Sequence, residues 1–267
     1  MSFNRGKGNR LIMAIIGIIP ARYQSKRFPG KPLAKIKGQP MIYHVYELAR
    51  KANCWDKLVV ATDDRRIKET VQGFSGEALM TSSKHPSGSD RIAEACSILN
   101  LDSSDIVVNI QGDEPLLHPE SIRNLLDGYR KANDVDVATL AFRSSSEEEL
   151  RDPNVVKIVT DQKMRALYFS RAPIPYKRDY KTGDFLFLKH LGFYTYSVAF
   201  LHLFTSLDPG NLEKIEKLEQ LRILESGFSI QVIISEHDSH GVDTPRDLIH
   251  VEKMMECGFE ELFDEKI

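Results

Sequence analysis

The segment from Pro20 to Leu33 concentrates positive charge in a way that suits an anionic ligand. It reads PARYQSKRFPGKPL, and its four cations are Arg22, Lys26, Arg27 and Lys31. Proteins bind phosphate groups with the guanidinium fork of Arg and the point charge of Lys. A glycine such as Gly30 lets the backbone approach a phosphate closely. The segment fits neither G-x-x-x-x-G-K-[ST] nor G-x-G-x-x-G, and a solvated basic loop is the alternative interpretation.

The apolar run before this segment predicts a buried strand. Residues 14–19 are continuously apolar, as in a parallel strand that is covered on both faces. Basic residues precede the run, which also fits a signal peptide. The cations that directly follow the run would hinder export, so the strand is favoured and residues 1–12 are expected to be a polar extension.

Strand and helix patterns then alternate through the first half of the chain. Strands are expected at 57–61, 78–80 and 105–110, and helices from Pro40, after 62–64, from Ser89 or Asp90, and over 119–131. This alternation predicts an α/β fold, a mostly parallel sheet with helices on both faces. Ligands bind such sheets at the carboxyl ends of the strands. The candidate loops are therefore 20–31, 62–64, 83–91 and 111–115.

The second half predicts a mixed-β elaboration of the same sheet. Strands are expected at 136–142, 155–160, 166–169, 190–197 and 230–234, a hairpin turn at 161–163, and helices over 213–227 and 247–256. No repeat or linker separates the halves. The chain is therefore expected to form a single domain over residues 13–267.

The composition excludes some partners and favours a reducing compartment. Lys plus Arg number 36 against 38 Asp plus Glu, a net charge of -2, so the basic excess of a general nucleic-acid binder is absent. The three cysteines are far apart and form no C-x-x-C. This pattern favours the cytoplasm over a disulfide framework. We expect no nucleic-acid partner and no membrane association.

Several sequence blocks together resemble one enzyme family. After the basic segment come HPSGSDR at 85–91, VVNIQGDEP at 107–115, ALYFSRAPIP at 166–175, HLGFYTYS at 190–197, LEQLR at 218–222 and GVDTP at 241–245. In this order they resemble the 3-deoxy-manno-octulosonate cytidylyltransferases, the CMP-Kdo synthetases. The resemblance covers about residues 14–255 and implies a Rossmann-like nucleotidyltransferase fold.

The resemblance implies that CMP passes from CTP to the anomeric hydroxyl of 3-deoxy-D-manno-octulosonate (Kdo) for lipopolysaccharide biosynthesis, with release of pyrophosphate. Positioning and charge stabilisation catalyse most transfers of this kind. Arg22 and Lys31 would contact the triphosphate as catalytic residues, and Ser25 and Arg27 would complete the phosphate site. Lys26 stands where the family has a small hydroxyl residue, and Phe28 where it has leucine. Neither change removes a charge that the family needs.

The resemblance also implies a Mg²⁺ cofactor held by Asp113 and Asp243. A carboxylate after a buried strand suits a hard cation, and Asp113 would also be catalytic. Other interpretations stay open at this point, because Asp113 also fits a turn and Asp243 also fits the N-cap of the last helix.

The remaining family positions imply the two substrate pockets and a homodimer. Ser87, Gly88 and Arg91 would bind the nucleoside, although a helix N-cap at Ser89 or Asp90 is expected there too. The Kdo pocket would comprise Gln111, Arg171, His190, Tyr194, Glu219 and Gln220. Of these, Arg171 and His190 are the expected partners of the sugar-acid carboxylate.

Three alternative functions fit the sequence less well. One is a cytidylyltransferase for another sugar acid, such as a sialic acid, but those relatives usually have a different first loop that bears glycines. A sugar-1-phosphate nucleotidyltransferase has a G-x-G-T-R opening that is absent here. A non-catalytic nucleotide-binding protein is disfavoured, because Arg22, Lys31, Asp113 and Asp243 are all present.

Overall fold

A nine-stranded mixed sheet organises the computed structural model, which describes residues 13–25, 27–132, 134–178 and 185–256. The expected extension at 1–12 and Lys26 lie outside these ranges. The main path of the sheet runs β11-β7-β10-β6-β1-β4-β5, and β8 pairs with β10 and β9. The strands are β1 (Ile15–Ala21), β2 (Lys35–Ile36), β3 (Gln39–Pro40), β4 (Lys57–Thr62), β5 (Ala78–Met80), β6 (Ile106–Asn109), β7 (Val137–Ser144), β8 (Lys157–Thr160), β9 (Ala166–Ser170), β10 (Phe187–Ser197) and β11 (Ile230–Ser235), of which β2 and β3 form a separate two-stranded sheet.

Helices cover both faces of the sheet, as predicted. They are α1 (Met41–Lys51), α2 (Arg65–Gly73), α3 (Gly88–Ile98), α4 (Pro119–Lys131), α5 (Glu147–Arg151), α6 (Val198–Ser206), α7 (Asn211–Glu216), α8 (Gln220–Glu225) and α9 (Pro245–Glu256), and residues 31–33 form a 3-10 turn. Along β1, Ile16 and Ile18 pack on the face of α3, α6 and α8, whereas Ile19 and Ala21 pack on the face of α1, α2 and α4. This period of two explains why β1 is apolar throughout.

The parallel part of the sheet is interrupted by one long antiparallel strand. β1 pairs in parallel with β4 and β6, and β7 with β11. β10 lies between β6 and β7 and is antiparallel to both. Phe187, the first residue of β10, pairs with Ser144, the last residue of β7. β10 therefore begins at the edge of the sheet where the parallel strands β6 and β7 end.

One predicted helix is wrong. Residues 213–227 do not form one helix, because Lys217 has the left-handed φ of 55° and separates α7 from α8. The hairpin turn at 161–163 is confirmed, with β8 and β9 antiparallel on either side of it. The short helices α5 and α6 were not predicted. None of the helices in the described ranges has the length and hydropathy that a membrane span requires.

Candidate active site

The basic segment after β1 folds back as a tight loop. The amide of Gly30 donates to the carbonyl of Tyr23 at 2.8 Å, and Gly30 has a φ of +74° that favours glycine. A Cβ on Gly30 would lie 3.1 Å from the Tyr23 ring. The guanidinium of Arg66 covers that ring at 3.5 Å from its centroid. These contacts fix the direction in which the next residue, Lys31, leaves the loop.

Lys31 meets both predicted metal ligands. Its Nζ donates to Asp113 Oδ2 at 2.6 Å and to Asp243 Oδ1 at 3.3 Å. Arg27 Nη2 reaches Asp243 Oδ2 at 2.8 Å. Two carboxylates that are 130 positions apart in sequence therefore share one ammonium group at the carboxyl edge of the sheet.

Close backbone packing brings these loops together. A Cβ on Gly112 would lie 2.6 Å from the carbonyl oxygen of Pro20, so the loop after β6 lies directly against the end of β1. The amide of Val242 donates to the carbonyl of Asp113 at 2.8 Å. The two acidic loops are thus joined through backbone as well as through Lys31.

The side chain of Asp243 does not cap the last helix. The Thr244 hydroxyl accepts from the Asp247 amide at 3.3 Å, and the Asp247 carboxylate accepts from the amides of Asp243 and Thr244 at 3.0 and 2.8 Å. This reciprocal pattern resembles a capping box. The Asp243 carboxylate is therefore left in contact with Lys31 and Arg27.

The other residues predicted for the phosphates lie nearby in the chain but make fewer contacts. Arg22 is exposed directly after β1. The Ser25 hydroxyl accepts from the Phe28 amide at 3.4 Å, a local turn contact. The structure gives no contact between these two side chains and Asp113 or Asp243 in the described ranges.

Ser87, not Ser89 or Asp90, is the N-cap of α3. Its hydroxyl accepts from the Asp90 amide at 3.3 Å and donates to the Asp90 carboxylate at 2.7 Å. Ser89 is buried inside the first turn, and its hydroxyl donates to Glu219 Oε1 at 2.9 Å. Gly88 opens the helix and is exposed. The predicted cap was therefore two or three residues too late.

Arg91 is committed to protein contacts. Its guanidinium donates to Thr81 Oγ1 at 2.6 Å and to Asp63 Oδ2 at 3.0 Å. The side chain is 4% exposed. Arg91 therefore links α3 to the carboxyl ends of β4 and β5 and holds the loop before Ser87. Its guanidinium is occupied by these contacts and does not face a ligand directly.

His190 lies near the start of β10 and is neutral. Burial lowers its pKa to about 3, and the rings of Phe169 and Tyr194 flank the imidazole with centroids at 5.1 and 5.4 Å. The Thr139 hydroxyl donates its one proton to the Phe193 carbonyl at 2.7 Å. Because Thr139 Oγ1 then can only accept from His190 Nε2, 3.0 Å away, that nitrogen carries the imidazole proton. Burial therefore disfavours a positive charge on His190, and its predicted contact with the sugar-acid carboxylate stays a prediction.

A β-bulge shapes this part of β10. The pairing with β7 shifts between His190 and Tyr194, around Gly192 with a φ of +76°. Gln111 Nε2 donates to the Gly192 carbonyl at 2.9 Å. The bulge thus connects the loop after β6 to the strand that carries His190 and Tyr194.

The break between α7 and α8 places Glu219 in a buried polar cluster. Burial raises the pKa of Glu219, and burial also raises that of Tyr194 well above its ordinary value. Among the described residues, Glu219 Oε2, Asn109 Oδ1 and the Tyr196 hydroxyl have no hydrogen-bond partner. Unpaired buried polar atoms are costly unless a ligand or water satisfies them. Gln220 is buried beside Glu219 at 4% exposure.

The side chain of Arg171 contacts backbone carbonyl groups, one of them at the end of α7. Its guanidinium donates to the carbonyls of Glu216 and Pro153, both at 2.8 Å. The fully buried Lys157 donates to the Arg171 carbonyl at 2.6 Å. The structure thus brings Arg171 to the segment that precedes Glu219, with its guanidinium on carbonyl groups.

Sequence reasoning missed Glu114 and Ser239. Ser239 Oγ donates to Glu114 Oε2 at 2.5 Å, next to Asp113. Burial, followed by the charge of Asp113, raises the pKa of Glu114 to about 8. The motif QGDEP contains Glu114, but nothing in the spacing of the chain signals its partner.

A mostly parallel sheet with cations and carboxylates at its carboxyl edge defines a nucleotide-binding α/β protein. The family model described as "Cytidylyltransferase" matches residues 16–233. The chain therefore belongs to the cytidylyltransferase family, and the resemblance drawn from its motifs is confirmed.

Relatives with two different names are similar over most of their length. A 3-deoxy-manno-octulosonate cytidylyltransferase from Syntrophobacter fumaroxidans is 58% identical over 236 residues, covering 88% of this chain and 94% of the relative. An 8-amino-3,8-dideoxy-manno-octulosonate cytidylyltransferase from Shewanella piezotolerans is 52% identical over 237 residues, covering 88% and 96%.

A solved structure is also similar. A CMP:2-keto-3-deoxy-manno-octonic acid synthetase complexed with CTP has a TM-score of 0.84 and 41% identity, over 91% of this chain and 99% of that one. A 4-diphosphocytidyl-2C-methyl-D-erythritol synthase from Anaerococcus prevotii, at 14% identity and a TM-score of 0.59, shares the fold.

Proposed function

We propose that this protein transfers CMP from CTP to the anomeric hydroxyl of Kdo, giving CMP-Kdo, pyrophosphate and a proton. The meeting of Arg27, Lys31, Asp113 and Asp243 at the carboxyl edge of the sheet is the observation that carries the phosphate chemistry. The names of the relatives and the CTP complex of the similar structure support the two substrates.

On the triphosphate side, the chain supplies positive charge that is already positioned. Lys31 and Arg27 are held beside the carboxylates, and Arg22 is exposed at the end of β1. Positioned charges of this kind stabilise the transferring phosphoryl group without reorganisation at the moment of reaction. Lys31 would exchange its carboxylate contacts for phosphate oxygens when CTP binds.

Asp113 and Asp243 fit a divalent cation. Their carboxylates already converge on the single positive charge of Lys31, they are hard oxygen donors, and their side chains are 34% and 46% exposed. We propose that they hold Mg²⁺. The metal would offset negative charge on the phosphate oxygens and the leaving pyrophosphate.

On the nucleoside side, the start of α3 would receive the cytidine. The exposed Gly88 permits close approach, and Ser87 lies at the same helix end. Arg91 would act indirectly, since its fork is occupied by Thr81 and Asp63.

On the acceptor side, the buried polar atoms suit a polyhydroxylated sugar acid. Glu219 Oε2 and Asn109 Oδ1 would accept hydrogen bonds from sugar hydroxyls, because both are buried acceptors without partners in the described chain. His190 would accept through Nδ1, since its Nε2 proton is directed to Thr139. The cation for the sugar carboxylate would be Arg171, after release of its contacts with backbone carbonyls.

A second acceptor is favoured by a specific observation. The relative from Shewanella piezotolerans, named for the 8-amino-3,8-dideoxy sugar, is 52% identical, only slightly less than the first relative at 58%. The acceptor assay must therefore include both sugars.

The test measures pyrophosphate release from CTP and Mg²⁺ with Kdo, with 8-amino-3,8-dideoxy-manno-octulosonate, with a sialic acid, or with no acceptor. We expect release that depends on Kdo and stops when EDTA removes the metal. Preferential release with the amino sugar would move the assignment to that acceptor, and release with the sialic acid would favour the sialic acid alternative. CTP binding by folded protein without any release would show a non-catalytic nucleotide-binding protein.

We also propose a homodimer formed around β9. Within the described ranges β9 pairs only with β8, and Leu167 on β9 is 61% exposed. Tyr176, which follows β9 in the chain, is 78% exposed, and Ile215 on α7 is 77% exposed. β9 contacts α7, because the Ser170 hydroxyl donates to the Glu216 carboxylate at 2.6 Å. The expected cytoplasmic location stays a prediction.

Replacing Leu167 with Glu should convert the dimer to a monomer in sedimentation velocity, because a charge would be buried in an apolar interface. Ile249→Glu is the matched control, since Ile249 on α9 is also exposed, at 56%. A wild-type monomer, or a Leu167→Glu dimer as stable as the wild type, would contradict the proposed interface.

A further inference from the structure

We infer that Glu114 and Ser239 are positioning residues. They hold the Asp243 loop (residues 236–244) against the Asp113 loop (residues 110–118), so that the carboxylates of Asp113 and Asp243 face one cation. The inference rests on the proposed function, in which this pair binds a divalent metal. It assigns a role to Glu114, which the motif QGDEP contains but for which no role was predicted, and to Ser239, which lies outside the quoted motifs.

The direct contact between the loops is short and buried. Ser239 is 5% exposed, and its hydroxyl donates to Glu114 Oε2 at 2.5 Å. Glu114 Oε1 faces Gly241, where a Cβ would lie only 2.8 Å from that oxygen. The carboxyl group of Glu114 therefore accepts one hydrogen bond from this loop and lies close to a second residue of it. The adjacent backbone bond from Val242 to Asp113 continues the same contact.

The far end of the Asp243 loop is anchored separately. Asp238 pairs with Lys189 Nζ at 3.0 Å, and Lys189 pairs with Glu149 Oε1 at 2.7 Å. Lys189 lies on β10 and Glu149 on α5, so this network fixes the loop to the sheet before it reaches Ser239. The Asp238–Lys189 pair sets where the loop starts, and the Ser239–Glu114 pair sets how close it comes to Asp113.

These contacts determine the position of Asp243, because this residue lies in the loop between β11 and α9 and not in a strand or helix. β11 ends at Ser235 and α9 begins at Pro245, so Asp243 is not placed by a strand or helix. Side chains that orient metal ligands typically change metal affinity by about 10–100-fold when they are removed. Loosening the loop should therefore weaken metal binding without removing any ligand.

The test titrates Mn²⁺, without nucleotide, into the full chain and follows free Mn²⁺ by its electron paramagnetic resonance signal. Ser239→Ala and Glu114→Leu should each weaken Mn²⁺ binding on the order of 10-fold. Glu114→Gln, which keeps an oxygen acceptor for Ser239, should stay closer to the wild type. Ser97→Ala is the control, because that hydroxyl only donates to the Ala93 carbonyl on α3.

The variant Asp113→Asn distinguishes the proposed metal site from the proposed positioning role of Glu114 and Ser239. Unchanged Mn²⁺ binding in Asp113→Asn would overturn the metal assignment itself. Weakened binding in Asp113→Asn together with wild-type binding in Ser239→Ala would leave the metal site standing and overturn the positioning role. If Ser239→Ala does not fold, the comparison of Glu114→Gln with Glu114→Leu decides, and equal affinities in those two variants would also overturn it.

Discussion

Replacing either Asp113 or Asp243 with Asn is expected to lower turnover on the order of 100-fold or more. Each substitution keeps the shape of the side chain but removes one of the two negative charges that now converge on Lys31 at 2.6 and 3.3 Å. Steady-state turnover with CTP and Kdo, measured over a range of Mg²⁺ concentrations, tests this. Excess Mg²⁺ should restore part of the loss, because an amide oxygen is a weaker ligand but is still a ligand.

The matched control is Asp127→Asn, an exposed carboxylate on α4. It should turn over like the wild type. Wild-type turnover in Asp113→Asn or Asp243→Asn would show that the metal assignment is wrong, provided that thermal unfolding confirms a folded variant.

Replacing Lys31 with Ala should have two effects of opposite sign. Turnover should fall on the order of 100-fold, as when one positioned donor to a developing charge is removed. Mn²⁺ binding in the absence of nucleotide should instead become tighter, because the ammonium that occupies both carboxylates is gone. A single residue that competes with the metal and assists the nucleotide would produce this combination.

Lys26→Ala is the comparison variant for Lys31→Ala. Lys26 is another cation of the same segment, although it lies outside the described residues, and its loss should reduce turnover less. Equal losses in the two variants would indicate a diffuse basic patch. Weaker Mn²⁺ binding in Lys31→Ala would contradict the competition between ammonium and metal.

Much of the fold follows from local patterns in the sequence. The apolar run of β1 and the strand–helix alternation through α4 predict the parallel half, because buried strands and amphipathic helices differ in period. The failures have local causes. The apolar period continues across Lys217, so nothing in it reveals the left-handed residue that ends α7. Similarly, Ser87, Ser89 and Asp90 are all plausible caps, and only the folded loop shows that Ser87 is the one used.

The candidate site, like the fold, can be predicted from the sequence only in part. The position of the basic segment after a strand predicts a ligand site at the carboxyl edge of the sheet, and the structure brings Lys31 to Asp113 and Asp243 there. Burial lowers the pKa of His190, and the Thr139 hydroxyl fixes which imidazole nitrogen carries the proton; neither is visible in the sequence. The pair of Glu114 and Ser239 is separated by 125 positions, and so only the tertiary fold reveals it.

The antiparallel course of β10 has a consequence for how such enzymes can diversify. The residues proposed for CTP lie before position 115, whereas most of those predicted for the Kdo pocket lie on β10 or in later segments. The two regions meet where Gln111 donates to the Gly192 carbonyl, where Ser89 donates to Glu219, and where the loop with Asp243 returns to Asp113. Substitutions on β10 and around its bulge can therefore alter part of the acceptor site while the residues proposed for CTP stay unchanged. The occurrence of two acceptor names among relatives that are all about half identical to this chain is what such a modular division of labour would produce.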